Sequence, residues 1–253
     1  MRIVSMVPSW TETLIEAGAD IVGRTRFCIH PSPAVKSIPA IGGTKNWDVA
    51  RLNELRPDLV VMDKQENTKE MAESCPYPLI STDVTSLETL TSELQQLSVR
   101  TNLPRLSEYA KRFQDLFAGR SAARQKILEP FGGSRMPGIL EWIRKPEAEV
   151  KTVIYIIWKD PWMAVSKQTF IGSMLGQFVD DATLFDSAEK YPKIDLEKFD
   201  PQSTLLLFSS EPYPFAKKKS DLEMLRFPAG IIDGESFGWF GIRALKFLEK
   251  HAL

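Results

Sequence analysis

The sequence predicts an α/β protein of two lobes, and three observations carry that prediction. Short apolar runs end at proline or in polar loops, the pattern of strands buried in parallel sheets. Between them lie segments whose apolar residues recur at helical spacing. A helix–proline–strand–loop unit also occurs twice: Leu52-Asn53-Glu54-Leu55-Arg56-Pro57 precedes Leu59 to Met62, and Leu196-Glu197-Lys198-Phe199-Asp200-Pro201 precedes Thr204 to Phe208.

In chain order, Ile3 to Val7 reads as a strand closed by Pro8. Ser9-Trp10-Thr11-Glu12 then has the spacing of a capping box before the helical Leu14 to Ala17. Leu59 to Met62 is a second strand, its preceding helix ended by Pro57, and polar Asp63 to Asn67 opens the next helix. Ser86 to Leu97 and Leu106 to Leu128 keep apolar residues on one helical face, in the second case Leu106, Tyr109, Ala110, Phe113, Leu116 and Phe117. That second helix would run about 30 Å, enough to join two lobes. Residues 129–150 contain Gly132-Gly133 and Pro137 and read as an irregular connection, with an apolar patch at Ile139 to Ile143 whose role is open. Val153 to Ile157 runs into Trp158-Lys159-Asp160-Pro161-Trp162 much as Ile3 to Val7 runs into Pro8-Ser9-Trp10, so similar half-chains begin near residues 1 and 151. The expected division is an N-terminal α/β lobe at 1–103, a connecting helix at 104–128, the connection at 129–150 and a C-terminal α/β lobe at 151–253.

Composition excludes several classes. With 253 residues, 43% apolar and 26% charged, the chain can bury sheets and is not of disordered type. Its 32 basic residues balance 33 acidic ones, and Lys217-Lys218-Lys219 is the only basic run, which argues against nucleic acid. Nowhere do 18 apolar residues run together, so no transmembrane segment is expected. Cys28 and Cys75 lack the spacing of a metal motif or disulfide framework and read as buried or site-facing thiols. The opening Met-Arg-Ile-Val-Ser-Met-Val-Pro shows no h-region or cleavage site, which points to a cytoplasmic protein or to a mature form whose leader has been removed.

Ligands of open parallel sheets sit at the carboxyl ends of the strands. There the sequence places Pro8-Ser9-Trp10, Arg26 to Pro31, Gly42-Gly43-Thr44-Lys45-Asn46-Trp47, Trp158 to Trp162, Tyr191-Pro192, Ser209 to Phe215 and Asp233 to Phe240. Nearly every tryptophan falls in these loops, as a pocket for a large, partly flat ligand requires; aromatic caps closing the lobe ends are the alternative. His30 and Cys28 stand two residues apart and suggest a metal, but the only other histidine is His251. A free-ion site would need carboxylates such as Asp233 or Glu235, so contact of Cys28 or His30 with a metal already held in a chelate is the better metal reading, and an ordinary hydrogen-bonded loop histidine is the reading ahead of both. No Gly-x-Ser-x-Gly elbow, phosphate loop or dinucleotide fingerprint is present. A hydrolytic enzyme would rest on Asp233 or Glu235 as base, with Lys45 or Lys159 as electrostatic partner, although a glycine between two acids more often marks a turn.

Across nearly its whole length the chain resembles the periplasmic-type solute-binding proteins of ABC transporters that have a helical backbone, the group of cobalamin, haem and siderophore binders. The resemblance is carried by Ile3 to Glu12, Gly42 to Asn46, Leu55 to Val60, Trp158 to Met163, Ser209 to Phe215 and Asp233 to Trp239, and is greatest toward the cobalamin-binding branch. It implies class III architecture: two Rossmann-like lobes joined by one long backbone helix, a ligand held non-catalytically in the cleft, a monomer, and no covalent cofactor. The ligand-facing residues would be Pro8, Ser9, Trp10, Cys28, His30, Gly43, Thr44, Trp158, Trp162, Tyr191, Tyr213 and Trp239. Glu197 falls where the second-lobe acid docks such proteins on the transporter's membrane component; the first-lobe acid aligns near Ala50, with Asp48 and Glu54 closest. The ligand so implied is cobalamin or a related corrinoid, with haem or a ferric siderophore as alternatives, taken up from the periplasm or cell surface; a leaderless chain would instead carry corrinoid inside the cell.

Overall fold

The computed structural model describes residues 1–120 and 136–251. The last part of the expected long helix (121–128) and the start of the expected connection (129–135) lie outside them. The chain divides into two compact units, one made of Met1–Ala118 with Trp239–Ala252 and the other of Gly119–Gly238.

The first unit opens with β1 (Arg2–Ser5), α1 (Pro8–Ala17) and β2 (Asp20–Arg24). It continues through α2 (Val49–Leu55), β3 (Leu59–Asp63), α3 (Lys69–Glu73), β4 (Leu79–Thr82), α4 (Leu87–Thr101) and α5 (Pro104–Arg120). Its four strands form an all-parallel sheet in the order β2-β1-β3-β4. All five residues of β3 are buried, as a strand covered on both faces demands. Val4, Met6, Val60 and Met62 meet Leu52 of α2 and Met71 of α3 in one apolar cluster.

Helix α1 starts differently from the capping box read in the sequence. Pro8 occupies the first helical turn after an extended Val7 that caps nothing with its side chain, so Ser9 and Glu12 lie inside the helix and face inward. Proline tolerates that position because its missing N–H would be unpaired there anyway. The helix ends at Gly18, whose φ of 94° suits glycine, with its N–H on the Ile15 carbonyl. A true capping box opens α4 instead: Thr89 N–H donates to Ser86 Oγ (3.2 Å) and Ser86 N–H to Thr89 Oγ1 (2.9 Å).

The second unit runs β5 (Ile139–Arg144), β6 (Thr152–Trp158), β7 (Met163–Val165), α6 (Phe170–Leu175), β8 (Thr204–Ser209), α7 (Lys219–Glu223), β9 (Ala229–Ile232) and α8 (Gly234–Gly238). Its sheet has the order β5-β9-β8-β6-β7, with parallel β6, β8 and β9 between two antiparallel edges. The apolar patch at Ile139 to Ile143, within the stretch read as irregular, is therefore edge strand β5. The proposed likeness of the half-chains also stops at β6: the chain turns at Asp160 (φ 64°) and returns as β7, where β1 leads into a helix. The unit of Leu196 to Pro201 becomes a single 3-10 turn, Leu196–Lys198, before β8.

The last helix, α9 (Ile242–His251), belongs to the first unit, although the sequence reading put it in the C-terminal lobe. Its buried face carries Ile242, Ala244, Leu245, Phe247 and Leu248 and packs on α1. Ion pairs Arg243–Glu12 (2.9 Å) and Lys246–Glu16 (2.5 Å) add direction to that packing, and Arg112–Glu249 (2.6 Å) ties α9 to α5.

Candidate functional site

In the first unit the carboxyl ends of β1, β2 and β3 bring together Pro8, the loop from Arg26 to Pro31 and the loop from Gly42 to Trp47. His30 is half-buried and meets the Trp239 indole edge-on, ring centroids 5.5 Å apart. Arg26 lies 4.8 Å over Phe27, whose ring borders Gly43: a Cβ there would stand 3.2 Å from Phe27 Cε2 and 2.9 Å from Asn46 Oδ1. Gly43 is thus buried at a close approach, while Thr44 and Pro8 are half-buried. The Thr44 carbonyl accepts from Asn67 Nδ2 (2.8 Å), which ties this loop to the end of β3. Asn67 Nδ2 also donates to the Met6 carbonyl (3.1 Å), and Asn67 Oδ1 accepts from Asp63 N–H (2.9 Å).

Three of the expected ligand contacts in this unit are placed elsewhere. Trp10 is fully buried, its indole N–H donating to Thr82 Oγ1 (2.8 Å) and its ring against Phe240 (5.0 Å). Position three of a helix, not a loop, sets its direction, and the helix turns it into the core. Ser9 is 7% exposed on the same helix, its carbonyl taken by Thr13 Oγ1 (2.7 Å). Cys28 is 1% exposed, with Sγ 3.1 Å from both Thr11 Oγ1 and Thr25 Oγ1. Burial pushes its thiol above the ordinary range, which disfavours the thiolate a metal would need.

Sequence reasoning missed Asp63, the residue that closes β3. Its buried carboxylate accepts Gln65 N–H on Oδ1 (2.9 Å), and Thr82 Oγ1–H (2.6 Å) and Val84 N–H (3.1 Å) on Oδ2. Burial nevertheless raises its pKa, with the hydrogen bonds opposing the rise. Burial likewise raises Glu66, which Lys45 partly offsets. A polar residue ending an apolar run at a strand's carboxyl end was the available signal.

In the second unit Trp158, at the end of β6, is 42% exposed and meets the buried Tyr213 edge-on at 5.2 Å. Trp162 lies behind them, half-buried, stacked 6.3 Å from Phe215 and tilted 6.0 Å from Phe208. Two cations top the cluster: Lys159 Nζ stands 5.6 Å over Trp162 and Lys218 Nζ 5.4 Å over Tyr213. Tyr191 is 42% exposed. Of the expected aromatics in this unit, Trp158 and Tyr191 are thus exposed, while Trp162 is half-buried and Tyr213 buried.

Asp233 caps α8, accepting from Ser236 N–H (3.2 Å) and Ser236 Oγ (2.6 Å), and Lys159 pairs with Asp221 (2.9 Å). The acid proposed as a base is therefore engaged in a helix cap, and its proposed partner Lys159 in another ion pair. Glu197 is exposed within its 3-10 turn, and Asp48 is the N-cap of α2, accepting from Arg51 N–H (3.1 Å). Among the described residues no three of His, Cys, Asp and Glu gather as a metal site, and no helix is long and apolar enough to cross a membrane.

No protein-family model matches the chain, and no curated protein resembles it in sequence. Solved structures resemble it over nearly its full length. The periplasmic vitamin B12 binding protein BtuF of Vibrio cholerae gives a TM-score of 0.67 at 15% identity, over 98% of this chain and 94% of that one. A periplasmic heme binding protein from Pseudomonas aeruginosa gives 0.69 at 19% identity, over 99% and 91%. An ABC transporter substrate-binding protein from Listeria monocytogenes gives 0.69 at 16% identity, over 98% and 96%. The chain has the fold these proteins share.

Proposed function

We propose, from a fold shared with periplasmic substrate-binding proteins, that this chain is a non-catalytic binder of a metal–tetrapyrrole, cobalamin or a related corrinoid foremost and haem next, serving an ABC uptake system. The observation that supports this most is the set of aromatic rings left half-exposed outside the core of each unit: Trp239 beside His30 in the first, Trp158 and Tyr191 in the second. Planar macrocycles bind through apolar area, at about 25 cal/mol per Å² before association costs, and rings that keep exposed faces provide it. His30 is the proposed contact to the chelated metal, because the buried Cys28 thiol is not presented. Gly43, Thr44 and Pro8 are proposed to line the same surface as His30, and Trp162 and Tyr213 to support Trp158. Glu197 and Asp48 are the proposed docking acids for the transporter's membrane component.

The test is titration of the purified chain with cyanocobalamin, hemin and a ferric hydroxamate, followed by absorbance and calorimetry. Saturable binding of cyanocobalamin or hemin at micromolar protein is expected, with His30→Ala changing the absorbance of the bound metal centre. No heat and no spectral change with either tetrapyrrole removes the proposal, and binding of the ferric hydroxamate alone moves it to siderophores.

A further inference from the structure

Trp239 sits in a run, Trp239-Phe240-Gly241, whose backbone is held against α1. Phe240 packs on Trp10, and Gly241 adopts φ 83° so close to α1 that a Cβ would stand 2.0 Å from Thr13 Oγ1. Thr13 Oγ1 also accepts Ile242 N–H (3.0 Å). These contacts place the Trp239 backbone but leave its side-chain torsions to other groups. Arg243, one turn on, lies against that side chain: its guanidinium carbon stands 5.2 Å over the indole.

Arg243 stands in an unusual place for a cation, the first turn of α9, where the helix dipole opposes positive charge. It is held there by Glu12 of α1, in a fork of two hydrogen bonds, Nε to Oε2 and Nη2 to Oε1, both 2.9 Å. Glu12 is itself 7% exposed, so each member answers for the other's desolvation. The series Glu12, Arg243, Trp239, His30 passes from a buried carboxylate to a half-buried imidazole within one unit.

We infer that Arg243, clamped by Glu12, is a positioning residue that fixes the Trp239 indole against His30 and so prepares this pair for a ligand. The inference rests on the proposed reading that the pair touches ligand. Without the guanidinium the indole gains torsional freedom that binding must remove again, and preorganisation is lost.

The test uses the full chain and its two histidines, His30 and His251. In ligand-free protein labelled at histidine, the His30 Cε1–H signal feels the ring current of Trp239; His251, beside Phe247 (4.7 Å), is the internal control. Arg243→Met and Glu12→Gln are each expected to move the His30 signal toward that of free histidine and leave the His251 signal in place. Arg243→Lys, which keeps the charge without the fork, is expected to fall between them and the parent. Affinity for cyanocobalamin or hemin should drop about tenfold in Arg243→Met through lost preorganisation. An unmoved His30 signal overturns the inference, as does unchanged affinity in a variant whose signal has moved. Should Arg243→Met fail to fold, Glu12→Gln and Arg243→Lys carry the same reading. If the parent chain binds neither compound, the proposed function fails, and the ligand-free His30 signal decides the positioning role alone.

Discussion

Asp63 at the end of β3 and Glu66 three residues on both have pKa raised by burial, yet replacement by the amide is expected to act oppositely at the two. Asp63 has both oxygens committed as acceptors to three donors. Asp63→Asn turns an N–H₂ toward at least one of those donors and should cost about 1–3 kcal/mol, read as a lower denaturant midpoint. Glu66 accepts no hydrogen bond among the described residues, so its charge brings desolvation with only Lys45 to offset it. Its folded pKa lies above the unfolded value of about 4.3. The stability it contributes is therefore present below the unfolded value and lost as pH rises through the folded value. Glu66→Gln should melt higher than the parent at pH 7, by a margin that shrinks toward pH 4; a margin that grows on acidification contradicts the sign. His30, Trp239 and Trp158 were legible as candidates because histidine and tryptophan in strand-end loops have few structural reasons to be there. Trp10 misled, since whether Pro8 closes a loop or opens a helix decides which way the third residue points, and proline suits both. Glu12 and Arg243 were illegible as a pair because 231 positions separate them.

At the scale of elements, the parallel strands β1, β3, β6 and β8 were readable because strands covered on both faces are apolar throughout. The antiparallel edges were not. β5 mixes exposed and half-buried residues without a two-residue alternation, and β7 has three residues, too few for a period to register. Helix ends give a sharper test. Gly18 and Gly241 both have positive φ, but a Cβ at Gly18 meets nothing within 4 Å, whereas one at Gly241 would press on Thr13. Gly18→Ala should cost about 1–2 kcal/mol from left-handed backbone alone. Gly241→Ala should cost clearly more, and Thr13→Ala, which makes room at the price of the Ile242 N–H partner, should recover part of the difference in a double-mutant cycle. Equal losses for the two glycine variants would show that the close approach of α9 to α1 carries no energy.

For the whole molecule, the two-sheet α/β architecture was legible and the chain's division was not. Apolar periodicity shows that α9 is a helix but not which sheet receives it, because its buried face of Ile242, Leu245 and Leu248 would suit either. Truncation after Gly238 should therefore damage the first unit, 120 residues away in sequence at its nearest, while sparing the second: Gly238 is the second unit's last residue before the chain returns and Ala118 the first unit's last before it leaves. Hydrogen exchange should show lost protection in β1, β2 and α1 with β6 and β8 retained; the reverse pattern would contradict the assignment. The same discontinuity sets an order in time. A ribosome adds roughly 5–20 residues per second, so α9 leaves it on the order of ten seconds or more after β1. Over that interval the emerging N-terminal half lacks the helix that covers α1, with Trp10's neighbour Phe240 and Glu12's counter-ion Arg243 still unmade. The second unit, contiguous in sequence, can close during synthesis, so the half made first is the half that finishes folding last.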